Sequence, residues 1–146
     1  MWLSKPDIII VDDDEDDLAL ITEALQIRTP KSIIRCFPDA EQAYSFLNEE
    51  AIENLPHIVL TDFKLPGMSG SELVQKLSAT ARFQRMSKII WSTSPNKSAM
   101  EQCLKKGADY YFIKPGETAG LDYISDALTT RLKFHLGALR HQQSLR

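Results

Sequence analysis

Five short apolar runs, each followed by a stretch of helical period, set the tightest limit on what this chain can fold into. The runs are Ile8–Val11, residues 32–37 (SIIRCF), residues 58–60 (IVL), residues 89–91 (IIW) and Tyr110–Ile113. After the first, Leu18, Ile21 and Leu25 recur on one helix face, and Thr29-Pro30 stops the helix. Asp39-Ala40-Glu41-Gln42 reads as a capping box ahead of inward-facing Ala43, Phe46 and Leu47. Ser69-x-x-Glu72 is a second box, ahead of Leu73, Val74 and Leu77. Met100, Cys103 and Leu104 give the next helix its face, and Gly107 suits its C-terminal cap. The last helix starts near Thr118 and carries Leu121, Ile124, Leu128 and Leu132 on one side.

Runs that are apolar on both faces, such as IIIV and IVL, belong in a parallel sheet covered on both sides by helices. Right-handed crossovers then leave few arrangements. The expected fold is α/β: a three-layer, doubly wound, five-stranded parallel sheet of flavodoxin-like order 2-1-3-4-5, with helices on both faces. The polar-interrupted second run fits a sheet edge. At 146 residues the chain is about one domain long. The expected division is a domain over residues 1–128 and a C-terminal extension of the last helix over 129–146, too short for a separate effector domain.

Composition narrows the function classes. A formal net charge of −3 and a pI near 5.6 argue against direct nucleic-acid binding through phosphate contacts. Cys36 and Cys103 lie in unrelated segments without metal-ligand spacing, which reads as free thiols in a reducing compartment. The N-terminal MWLSKPDIIIV lacks a signal-peptide layout, and no run reaches the roughly 18 apolar residues of a membrane span. The expectation is a soluble, cytoplasmic protein without membrane attachment.

The first run passes directly into acids: Ile8 to Asp17 reads IIIVDDDEDD. Ligands of open α/β sheets bind beyond the carboxyl ends of the strands, where the strand order reverses. There Asp12 and Asp13 meet Asp62, the end of the third run, on strands roughly 4.8 Å apart. Three carboxylates so placed repel one another, and a bound divalent cation relieves the repulsion. Oxygen-only ligands in a water-open site suit Mg²⁺. The fourth run ends in Ser92-Thr93-Ser94 and the fifth in Lys114-Pro115. Carboxylates, a hydroxyl and an ammonium on one rim are the groups phosphoryl transfer needs. A carboxylate can itself be the attacked nucleophile, giving an aspartyl phosphate.

Other residues read more plainly. Asp14 to Asp17 fit helix capping and the macrodipole. His57, His135 and His141 are isolated from one another and from any nucleophile, and Trp91 and Phe112 read as core. Arg131 to Arg146 holds four Lys/Arg and no acid, and reads as a solvated helix extension or a contact surface.

The strand ends IIIVDDD, VLTDFKLPGMSG, WSTS and GADYYFIKP together resemble the receiver domain of bacterial response regulators, over about residues 7–128. The resemblance implies that Asp62 is the phosphoacceptor. It implies that Asp12, Asp13, Asp62 and the Lys64 backbone carbonyl hold Mg²⁺. Ser92, with Thr93 as the alternative, would bond the phosphoryl group, and Lys114 would pair with it. Tyr111 would be the aromatic whose rotamer follows phosphorylation, and the Lys114–Pro115 bond would be cis. Two departures stand out: Lys64 at the second position after the acceptor, and Gly116 where an aromatic is usual.

The function implied is a stand-alone receiver of a two-component system or phosphorelay. A histidine kinase or phosphotransfer protein donates the phosphoryl group, and a conformational switch signals to an unknown downstream protein. A homodimer through helix 4, strand 5 and helix 5 is a further expectation. The chain would not be an enzyme beyond its own phosphotransfer and autodephosphorylation. The alternative is a small haloacid-dehalogenase-like phosphatase, since Asp12-Asp13-Asp14 satisfies Asp-x-Asp. That pattern's following Gly-Thr is missing. A pseudo-receiver that binds partners without phosphorylation is the third reading.

Overall fold

The computed structural model describes residues 5–116 and 118–144. Strand β1 (Ile8–Val11) is buried along its whole length, as its unbroken apolar sequence requires. Asp14 ends the turn that follows by capping helix α1 (Glu15–Arg28), its carboxylate accepting from the Asp16 and Asp17 N–H groups. The edge strand β2 (Ile34–Phe37) precedes α2 (Ala40–Glu49), capped by Asp39. Strand β3 (Ile58–Asp62) leads to α3 (Gly70–Ser78), capped by Ser69. Strand β4 (Ser87–Ser92) leads to α4 (Lys97–Lys105), and β5 (Tyr110–Ile113) to α5 (Thr118–Ser144).

The five strands pair in parallel in the order β2-β1-β3-β4-β5, as the run pattern predicts. Alternation along the strands divides the core. Ile8, Ile10, Ile58, Leu60, Ile89 and Trp91 pack under α1 and α5 with Ile21, Leu25, Leu121, Ile124, Leu128 and Leu132. Ile9, Val11 and Val59 face α2 and α3 with Ala43, Leu47, Leu73 and Leu77. Ile90, Val74 and Cys103 form a third, smaller cluster beneath α4.

Several expectations need correction. The second strand starts at Ile34, two positions later than expected, and the fourth starts earlier, at Ser87. Leu104 is 48% exposed, because α4 turns mainly Cys103 toward the sheet. The Lys114–Pro115 peptide is trans, the intrinsically favoured isomer, and no cis bond occurs among the described residues. Gly107 does end α4 in the left-handed region, with φ of 115°, where a side chain would be strained.

Helix α5 is one continuous element of 27 residues. At about 1.5 Å per residue it spans about 40 Å, about two to three times the strand length. It therefore runs past the opposite end of the sheet, the end where the strands begin. There Arg131 Nε donates to Ser87 Oγ at 2.7 Å, and His135 Nε2 lies 2.8 Å from the same oxygen. His57 and His135, far apart in sequence, bring their rings to 5.7 Å. The side chain of His141, and residues 145 and 146 of the expected extension, lie outside the described residues.

Candidate functional site

Register assembles the site. Val11 pairs with Thr61, so the next residues, Asp12 and Asp62, leave adjacent strands side by side. Ser92 pairs with Ile113, which puts Lys114 one step beyond. Alternation then sorts the side chains. Asp12, Asp62 and Lys114 continue the rows of Ile10, Leu60 and Phe112, which face α1 and α5. Ser92 and Tyr111 continue the opposite rows, toward α3 and α4.

One ammonium ties the first group together. Lys114 Nζ lies 2.7 Å from Asp12 Oδ2, 2.9 Å from Asp17 Oδ2 and 3.2 Å from Asp62 Oδ2. Its side chain is only 8% exposed and that of Asp12 is fully buried. The same nitrogen sits over the Trp91 ring, 4.8 Å from its centroid. Burial alone would lower the Lys114 pKa, but Asp12, Asp17 and Asp62 outweigh it and hold the group firmly protonated.

The acids respond in the other direction. Burial lifts the Asp12 carboxyl from 3.8 to about 6, aided by the charge of Asp62 and resisted by Lys114 and the Asp14 N–H. Burial also raises Asp62, against the pull of Lys114 and of the Lys64 and Phe63 N–H groups. Asp12, Asp13 and Asp62 each place a carboxylate oxygen within 4.8 Å of the others. Asp12 Oδ2 is buried, and the Lys114 ammonium at 2.7 Å is its one charged partner among the described residues. Hard oxygen donors, an unused lone pair and mutual repulsion fit a divalent cation.

The backbone fixes Asp62. Gly70 N–H donates to the Phe63 carbonyl at 3.0 Å, drawing the start of α3 against the end of β3. A Cβ at Gly70 would collide with the Asp62 carbonyl, so this close approach requires glycine. The Lys64 side chain is exposed at the rim.

On the other side, Ser92 is buried and accepts from the Ser94 N–H, whereas Thr93 is exposed. Lys114 N–H donates to the Ser92 carbonyl at 2.7 Å. Tyr111 is half-buried, and its hydroxyl donates to the Ser94 carbonyl at 2.9 Å. Its ring meets Phe63 edge-on at 6.4 Å.

The sequence reading missed Asp17. It groups Asp17 with the capping acids, yet only Asp14 caps, and Asp17 reaches Lys114. A signal was present: Asp17, Ile21 and Leu25 lie at i, i+4, i+8, so Asp17 shares the stripe facing the sheet.

The profile of the response regulator receiver domain matches residues 8–124. The two-component response regulator ARR5 of Arabidopsis thaliana is 23% identical over 94% of this chain and 78% of its own length. The two-component response regulator ORR6 of Oryza sativa subsp. japonica is 27% identical over 77% of this chain and 64% of its own. The resemblance therefore reaches plant proteins and is not confined to bacteria.

Solved structures show the same fold. A response regulator receiver domain from Rhodospirillum rubrum superposes with a TM-score of 0.76 at 22% identity, covering 88% of this chain and 93% of that one. The Mn²⁺-bound form of response regulator Rcp1 superposes at 0.73 and 21% identity, covering 84% and 91%. Family profile, relatives and sheet order converge, and the chain belongs to the response regulator receiver domain family.

Proposed function

We propose that this receiver accepts a phosphoryl group on Asp62 and signals by a shift between two conformations. The observation that carries the reading is the Lys114 ammonium 3.2 Å from the Asp62 carboxylate, beside two further acids on the same rim. A phosphohistidine of a histidine kinase or phosphotransfer protein is the donor. An Asp62 carboxylate oxygen attacks phosphorus, the P–O bond forms as the P–N bond breaks, and the imidazole leaves.

Asp12, Asp13, Asp62 and the Lys64 carbonyl would hold Mg²⁺. When bound, the ion neutralises charge on the transferring group. Lys114 contributes a fixed positive charge to a phosphoryl oxygen, which lowers the barrier electrostatically. Ser92, the buried hydroxyl where β4 ends, is favoured over exposed Thr93 as the second contact. Movement of Ser92 toward the phosphoryl group would strain the loop that Tyr111 holds through the Ser94 carbonyl. That bond supports Tyr111 as the residue that reports the change. The chemistry stays within the chain, phosphotransfer and autodephosphorylation, and the protein turns over no other substrate.

Readout falls to a protein partner or a second copy at the face of α4, β5 and α5. Leu104, Tyr110, Ile113 and Tyr123 are exposed there. Among the described residues no helix is long and apolar enough to cross a membrane. A cytoplasmic location follows from the kinase partnership.

The phosphatase alternative gains no support. It needs Asp14 at the chemistry, but Asp14 is turned away to cap α1. Acetyl phosphate with Mg²⁺ tests the proposal. Intact-protein mass should show a phosphoryl adduct that hydroxylamine removes, absent from Asp62→Asn. An equal adduct on Asp62→Asn would reject the acceptor.

A further inference from the structure

We infer that Asp17 is a positioning residue that holds Lys114 toward α1 and competes for it with the phosphoryl group. The inference rests on Asp62 being the phosphoacceptor. An ammonium has three N–H donors. In this structure three carboxylates surround it: Asp12 at 2.7 Å, Asp17 at 2.9 Å and Asp62 at 3.2 Å. A phosphoryl oxygen must therefore take the place of one of them.

The three are not equivalent. Asp12 and Asp62 belong to the acidic cluster suited to a cation, so cation binding draws their oxygens away from Lys114. Asp17 does not belong to that cluster. Its side chain is 33% exposed and comes from the first turn of α1, on the stripe continued by Ile21 and Leu25. It is the partner to which Lys114 remains bound when the cation occupies the other two.

Two opposite consequences follow. For the cation, Asp17 helps: it adds negative charge nearby and draws Lys114 off Asp12 and Asp62. For a phosphoryl group, Asp17 hinders: it keeps Lys114 on the α1 side and repels the incoming anion. A helix-start acid acting only through the macrodipole would produce neither pattern, and Asp16 supplies the comparison. It sits one residue earlier in the same turn, exposed and without a side-chain contact to Lys114.

Trp91 reports on the site, since Lys114 Nζ lies over its ring. The chain's other tryptophan is Trp2, so the experiment uses a Trp2→Phe background. Mg²⁺ is titrated alone, then beryllofluoride at saturating Mg²⁺. Asp17→Asn should raise the Mg²⁺ half-saturation and lower the beryllofluoride half-saturation, each by about two- to fivefold, the upper range of one partly exposed ion pair. Asp16→Asn should move neither, and Asp17→Glu, which keeps the charge, should lie closer to wild type than Asp17→Asn.

If Asp17→Asn leaves both values unchanged, moves both the same way, or is matched by Asp16→Asn, the inference is overturned while the phosphoacceptor stands. If wild type and Asp62→Asn respond alike to beryllofluoride, the phosphoacceptor reading fails and takes the inference with it.

Discussion

The Lys114 ammonium and the Asp12 carboxylate form a 2.7 Å ion pair with both side chains almost withdrawn from solvent. Removing one member of such a pair leaves a buried charge without compensation. Lys114→Met should therefore lower stability in metal-free buffer by on the order of 3 kcal/mol. Mg²⁺ should restore part of the loss, because it supplies the missing positive charge. Chemical denaturation with and without Mg²⁺ checks this. A Lys114→Met protein as stable as wild type in metal-free buffer would show that the pair is not a stabilising contact.

Proton and cation compete at Asp12. Its carboxyl is raised to about 6 by burial, so the folded chain binds this proton more tightly than the unfolded chain. In the metal-free protein its contribution to stability is therefore greatest at low pH and falls as pH rises through about 4 to about 6. Mg²⁺ binding needs the ionised form, so the Mg²⁺-induced rise in Tm should be small at about pH 5 and large at about pH 7.5. An increment equal at the two pH values would contradict the assignment of Asp12 as a ligand.

Gly70 controls the position of the acceptor. Any Cβ there meets the Asp62 carbonyl, and backbone cannot yield as a flexible side chain can. Gly70→Ala should cost about 2 kcal/mol or more and weaken beryllofluoride binding, through a displaced β3 terminus. Normal stability together with normal binding would mean that α3 and β3 separate without consequence.

At the far end of the sheet, Ser87 fastens the extended part of α5 through Arg131 and His135. Ser87→Ala should lower stability by about 1–2 kcal/mol and leave the beryllofluoride half-saturation unchanged. Burial depresses the pKa values of both His57 and His135 below 6.5. The unfolded chain then takes up protons first, so this contribution is present above pH 6.5 and is lost as pH falls below it. Asp7 and Asp109 oppose the shift and Lys5 and Arg131 reinforce it. A change in denaturation midpoint between about pH 7 and about pH 5.5 that is the same in wild type, His57→Asn and His135→Asn would exclude the two histidines as the cause.

Much of this was legible in the sequence. The runs that are apolar on both faces specify buried parallel strands. The residues after them, Asp12, Asp62, Ser92 and Lys114, fall on one rim because a parallel sheet aligns its carboxyl ends. What stayed hidden depended on side-chain direction and on distance across the fold. Asp17 shares a helix turn with three other acids, and only its place on the buried stripe separates it from them. His57 and His135 gave no sign of contact because their meeting depends on α5 outrunning the sheet. Leu104 matched a helical face in sequence, but α4 turns mainly Cys103 toward the sheet and leaves Leu104 exposed.

A beryllofluoride titration in saturating Mg²⁺, read by Trp91 fluorescence in the Trp2→Phe background, tests the central claim most directly. The account predicts a saturable change in wild type, none in Asp62→Asn, and none in either when Mg²⁺ is chelated. A saturable response of equal size and midpoint in Asp62→Asn would contradict it, because the acid at the end of β3 would then have no part in binding the phosphoryl group.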